Sequence, residues 1–121
     1  MSQWCALLWA LLRFFMDDRD RARLLLRETL DHPEELRATL QEHLQPWMRL
    51  LTEALRTGQA SGALRAEVHP EAYIHLIITS AVGLAAAGDN TAAVLTPEPS
   101  REAQLTELVR IARVALLSPL S

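Results

Sequence analysis

The chain of 121 residues contains no lysine, one cysteine, one tyrosine and four glycines. A single cysteine, Cys5, excludes an internal disulfide framework and a zinc site built from several cysteines. Its sequence neighbours are apolar, so it reads as a small hydrophobic side chain and not as an activated thiol. Aromatic residues make up 5% of the chain. Beta-branched residues are few, and no segment alternates apolar and polar positions for long, which speaks against a sandwich or barrel. No glycine-rich phosphate loop, serine-nucleophile motif or acid/base carboxylate pair is present. The expectation is a protein that is not an enzyme and needs no cofactor. The four histidines lack metal-ligand spacing such as His-x-x-x-His, so no metal site is expected.

All twelve basic residues are arginine, and the formal charge is −3. The all-arginine usage reads as the bias of a GC-rich bacterial genome. Nucleic-acid binding requires a basic surplus on one face. Here the signs are interleaved instead, as in Asp17-Asp18-Arg19-Asp20-Arg21. A cytoplasmic location fits the cysteine usage. The apolar stretch Trp4–Met16 has no basic leader, is followed by two aspartates where a cleavage site would lie, and is too short to span a bilayer. Neither a targeting role nor a membrane partner is expected.

Half of the residues are hydrophobic, and leucine and alanine dominate them, which favours helices. The length corresponds to one domain, residues 1–121, large enough to bury a real core. The pattern predicts an all-α chain of five helices. The first covers Ser2 to Met16 and is apolar around most of its circumference. Asp17-Asp18 supplies N-cap oxygens for a second, Arg19 to Leu30, whose Leu24-Leu25-Leu26 and Leu30 are expected to face inward. Asp31-His32-Pro33-Glu34-Glu35 opens the third, with proline at the first helical position and acids on the positive end of the dipole. Its apolar stripe runs Leu36, Leu40, Leu44, Trp47, Met48, Leu51, Leu55. Pro46 predicts a kink, and the helix is expected to end at Arg56–Thr57, before Gly58 and Gly62.

After a short arm, Ala63–Val68, His69-Pro70-Glu71 starts a fourth helix, about Pro70 to Ala87, closed by Gly88-Asp89-Asn90. It has almost no polar face, so a second copy of the chain is expected to cover part of it. The fifth runs from an N-cap at Ser100 to about Leu117. Leu105, Leu108, Val109, Ala112, Ala115 and Leu116 lie along one side, with Ile111 and Val114 off that stripe as a second contact surface. His75, amid Ile74, Leu76 and Ile77, reads as a hydrogen-bonded core or interface residue. His32 and His69, each before a proline, read as capping or turn residues.

Three pieces in order, LLLRETLDHPEEL at Leu24–Leu36, TGQASGALRAEVHPEAY at Thr57–Tyr73 and the two C-terminal apolar helices, resemble the ligand-binding and dimerisation domain of TetR-type transcriptional regulators. The resemblance covers about Leu24 to Leu117. It implies a five-helix bundle whose last two helices form a four-helix bundle with those of a partner. It also implies a function in transcription regulation, a homodimer, and a small apolar effector held inside the helical bundle. The implied interface comprises Ile74, Ile77, Ile78, Ala81, Val82, Leu105, Leu108 and Ala112. Candidates for the effector pocket are Trp9, Phe14, Phe15, His43, Trp47, Met48, Tyr73 and Thr79, with His43 and Trp47 sharing a face near Pro46. The same aromatics serve equally well to fill a core.

Regulators of this type begin with a helix-turn-helix domain whose recognition helix enters the major groove. No such segment precedes Trp4. The expectation is that this polypeptide does not bind DNA by itself, and that DNA is reached only through an N-terminal domain missing here. The alternative is a stand-alone helical interaction module that pairs with a full-length regulator.

Overall fold

The computed structural model describes the backbone of residues 2–95 and 101–117. The side chains of residues 2–5, 36, 39, 40, 43, 88–93 and 101 lie outside the description, which takes in Cys5 and His43, and so does the expected Ser100 cap. Five helices follow one another: α1 (Ser2–Met16), α2 (Arg19–Asp31), α3 (Pro33–Ala60), α4 (Pro70–Leu95) and α5 (Arg101–Leu116). The all-α class and the helix order agree with the sequence pattern.

The starts are set by local chemistry. Asp18 takes an extended backbone conformation and its carboxylate accepts the Arg21 N–H at 3.0 Å, capping α2. Pro33 opens α3 with Glu34 and Glu35 in the first turn. At α4 the cap is a histidine: Nδ1 of His69 accepts the Ala72 N–H at 3.2 Å. His32 makes no such side-chain bond, so of the two proline-preceding histidines only His69 acts as a side-chain cap.

Two helix ends differ from expectation. α3 does not stop at Arg56–Thr57 but continues through Gly58 to Ala60, and it is unbroken across Pro46. Its turn is made later by Gly62, at φ +84°, a left-handed conformation open to glycine at little cost. α4 runs past Gly88-Asp89-Asn90 to Leu95. The good helix formers that follow, Ala92, Ala93 and Leu95, favour the extension.

α4 is the centre of the bundle and packs against α1, α2, α3 and α5. Its stretch Pro70–Ala87 has the length and apolarity of a membrane span by composition. Here the other four helices pack against it and bury one row of its residues, Ile74, Ile77, Ala81, Val82, Ala85 and Ala86, while another side stays open. α1 contributes Leu8, Leu11, Leu12 and Phe15, spaced by three and four along one face. α5 contributes Leu105, Val109, Ala112 and Leu116. Each such leucine, isoleucine, valine or phenylalanine is worth about 1.5–3 kcal/mol once buried.

α2 and the first half of α3 are less covered. Ala22 is the one buried residue of α2, while Leu24 and Leu30 are 58% and 73% exposed. The expected inward leucine cluster on α2 is therefore corrected: only Leu25 packs partly against the core. α2 is held instead through its arginine. Nε of Arg23 donates to the carbonyl of Ala86 in α4 at 2.9 Å. On α3, Leu51 and Leu55 are buried, whereas Trp47 and Leu50 remain largely outside.

The arm between α3 and α4 is pinned at several points. Leu64 forms an isolated antiparallel bridge with Leu117, and the Arg65 N–H donates to Leu116 O at 2.8 Å. Nε2 of Gln59 donates to the carbonyls of Arg65 and Val68. The end of α5 is thereby tied to the end of α3.

Candidate functional site

Eight residues were expected to form a partner interface. Six of them, Ile74, Ile77, Ala81, Val82, Leu105 and Ala112, are buried within the single chain. Ile78 and Leu108 are half-buried against the same core. The reason is geometric. α4 is apolar on nearly every side, so periodicity does not reveal which side its own chain covers. α1, α2 and α3 take the side that holds Ile74 and Ile77.

The side of α4 left open carries Leu76, Ser80, Gly83 and Ala87, spaced as one row of a helix. Leu76 is 64% exposed. A Cβ added at Gly83 would meet no heavy atom within 4 Å. The Ser80 hydroxyl donates to Leu76 O at 2.8 Å, so its polar atom is satisfied within the helix and the row can face an apolar partner. Beside it, α5 presents Leu108 and Ile111, the latter 51% exposed. Between the two helices runs a groove of about 450 Å³ lined by Ser80, Leu84, Gln104, Glu107, Leu108 and Ile111. At its rim the Glu107 carboxylate pairs with Arg110. The hydrogen bond from Arg110 lowers the Glu107 pKa from its ordinary value, and the same bond raises that of Arg110.

Among the described residues, those expected around an effector lie on different sides of the bundle. Phe15 is in the core. Phe14, its neighbour on the helix, turns outward at 46% exposure, with the Arg21 guanidinium over its ring at 4.4 Å. The two rings touch edge to face at 5.3 Å. Thr79 is exposed, two positions from the buried Ile77 and hence on the opposite side of α4. Trp47 is also largely exposed. Tyr73 is half-buried and spends its hydroxyl on Ala112 O in α5 at 2.6 Å. Met48 lines a groove of about 310 Å³ between α3 and α4, with Gln45, Arg49, Thr52, Arg56 and Glu71. Arg56 and Glu71 close the end of that groove as an ion pair. Trp9 lies elsewhere, in a groove between α1 and α5. Among the described residues, no three His, Cys, Asp or Glu side chains are grouped as metal ligands.

The residues missed from sequence are Leu76, Ser80, Gly83 and Leu84, whereas Ile111 belongs to the second contact surface expected on α5. A signal for two of them was present: Ser80 and Gly83, together with Ala87, form a row of small residues on an otherwise bulky apolar helix. Such a row lets a second helix approach closely.

The described residues thus form an all-α bundle with a pinned α3–α4 arm and an open apolar face on its last two helices. The chain matches the family described as tetracyclin repressor-like, C-terminal domain, over residues 25–106, and it belongs to that family. No curated protein and no solved structure matches it.

Proposed function

We propose that the chain is the effector-sensing and dimerisation part of a transcriptional regulator, and that it pairs with a second copy of itself through the open face of α4 and α5. Family membership supports the regulatory role. The observation that carries the pairing is the groove bounded by Leu84, Leu108 and Ile111 beside the row Leu76–Ser80–Gly83. An exposed apolar patch of this kind marks an interaction site. A two-fold arrangement would bring the same patch of both copies together. A small apolar effector then acts by favouring one relative placement of the subunits over another. In a parent protein with a helix-turn-helix head, that placement sets the spacing of the recognition helices. The function is exercised in the cytoplasm and involves no chemistry on the effector.

The test is sedimentation of the purified chain at micromolar concentration. A particle of twice the chain mass is expected; a folded monomer would remove the pairing.

The second reading is an interaction module that pairs with a full-length relative. It is favoured by one observation, the uncovered leucines of α2, Leu24 and Leu30. Mixing differently tagged short and full-length forms decides between them, because an interaction module forms mixed pairs in preference to its own.

A further inference from the structure

The groove between α1 and α5 has a chemistry that the pairing face lacks. It measures about 440 Å³ and is lined by Trp9, Thr106, Val109, Arg113, Val114 and Leu117, with Arg110 at its edge. A volume of a few hundred Å³ suits a small organic ligand. The lining combines an indole from α1 and aliphatic side chains of α5 with guanidinium groups of α5. The Arg13 guanidinium also sits over the Trp9 ring at 5.5 Å.

The arginines differ in what they already hold. Arg13 lies 3.5 Å from Glu102, and Arg110 is paired with Glu107. Arg113 makes no ion pair among the described residues. An arginine in the last turn of a helix ordinarily serves the exposed carbonyls there. In α5 three of the carbonyls near that end have other donors. Ala112 O accepts from the Tyr73 hydroxyl, Arg113 O from the Leu117 N–H, and Leu116 O from the Arg65 N–H. The arm, α4 and the residue after α5 thus each supply one of these donors, and the Arg113 guanidinium lies at the groove with no fixed acceptor among the described residues.

We infer that this groove binds a small organic carboxylate with an apolar body, its carboxylate on Arg113 and its body against Trp9, Val109 and Val114. A planar guanidinium matches a carboxylate with two parallel hydrogen bonds. The indole face and the valines receive the rest. Arg113 and Ile111 are two positions apart on α5, so they point to nearly opposite sides. The groove therefore stays open when the α4/α5 face is covered, and the site stands whether or not the chain pairs as proposed above.

Decanoate and decan-1-ol are suitable probes because they share an apolar body and differ in the carboxylate. Calorimetry on the full chain is expected to show decanoate binding. Arg113→Gln weakens it about tenfold, the size expected for loss of a charge-assisted pair. Decanol binding is the same in both proteins, and Trp9→Leu weakens both ligands. Amide shifts in the unaltered chain should map decanoate to Trp9, Val109 and Val114. Absence of decanoate binding at millimolar concentration, equal affinity in Arg113→Gln, or shifts confined to the α3–α4 groove near Met48 would each overturn the assignment. Decanoate affinity is expected to be unchanged in Ile111→Glu, which separates this site from the pairing face.

Discussion

The hydroxyl of Tyr73, in the first turn of α4, donates to the carbonyl of Ala112, four residues before the end of α5, at 2.6 Å. Among the described residues, α5 packs against α4 and α1. This bond, together with the Leu64–Leu117 bridge, sets where its C-terminal half lies. Tyr73→Phe keeps the ring and removes the bond. The expected loss is about 0.5–1.5 kcal/mol, or roughly 2–6 °C in Tm for a domain of this size. A thermal unfolding curve that superimposes on that of the parent would show that the bond contributes nothing net.

Gly58 tests the α3–α4 arm. A Cβ at this position would lie 2.5 Å from Cδ1 and 2.7 Å from Cγ of Leu64, a side chain buried against the core. Alanine gains about 1 kcal/mol of helix propensity over glycine, while overpacking a filled site costs typically 1–3 kcal/mol. Gly58→Ala is expected to be neutral to destabilising by about 2 kcal/mol on these two figures. In a Leu64→Ala background the clash is absent and the same change should stabilise. Denaturant unfolding of the four proteins in this cycle measures the coupling.

The pairing face can be blocked without touching the core. Gly83 has open space where a side chain would go. Gly83→Trp should therefore fold as a single chain and fail to pair, and Ile111→Glu should do the same by placing a charge in the apolar groove. Ile77→Glu, in the buried row, is expected to unfold the chain instead. Circular dichroism and sedimentation together distinguish the two outcomes. Retention of the pair in both Gly83→Trp and Ile111→Glu would place the interface elsewhere.

Glu107 supplies a pH reading. Its pKa is lowered in the folded chain by the hydrogen bond from Arg110. A carboxyl whose folded pKa lies below its unfolded value contributes stability that is present above the unfolded pKa and is lost as pH falls through the folded one. The pair is fully exposed, so the contribution is small and screened by salt. Arg110→Gln should return the Glu107 titration to the ordinary carboxylate range, followed by NMR of its side chain. An unchanged titration would mean that the pair does not persist in solution.

Much of the architecture was legible in the residues because helix starts are local events. Asp18 caps α2, Pro33 opens α3 and His69-Pro70-Glu71 opens α4, each through groups within a turn of the boundary. The ends were less legible. Gly58 has the composition of a stop signal, yet it lies inside α3, and Leu64, six residues later, folds back into the space a side chain would need. That contact depends on where the arm is pinned, and the pins come from Gln59 and from Leu116 and Leu117 at the far end of the chain.

The sequence by itself determined the helical class, the order of the five helices and the family, because periodicity, caps and composition are written within each segment. Which sides of those helices face inward was decided only by the tertiary structure. α4 is apolar all round, so its own pattern cannot choose a side. The choice fell to the helices packed around α4, which bury Ile74, Ile77 and Ala81 and leave Leu76 exposed and Gly83 facing open space.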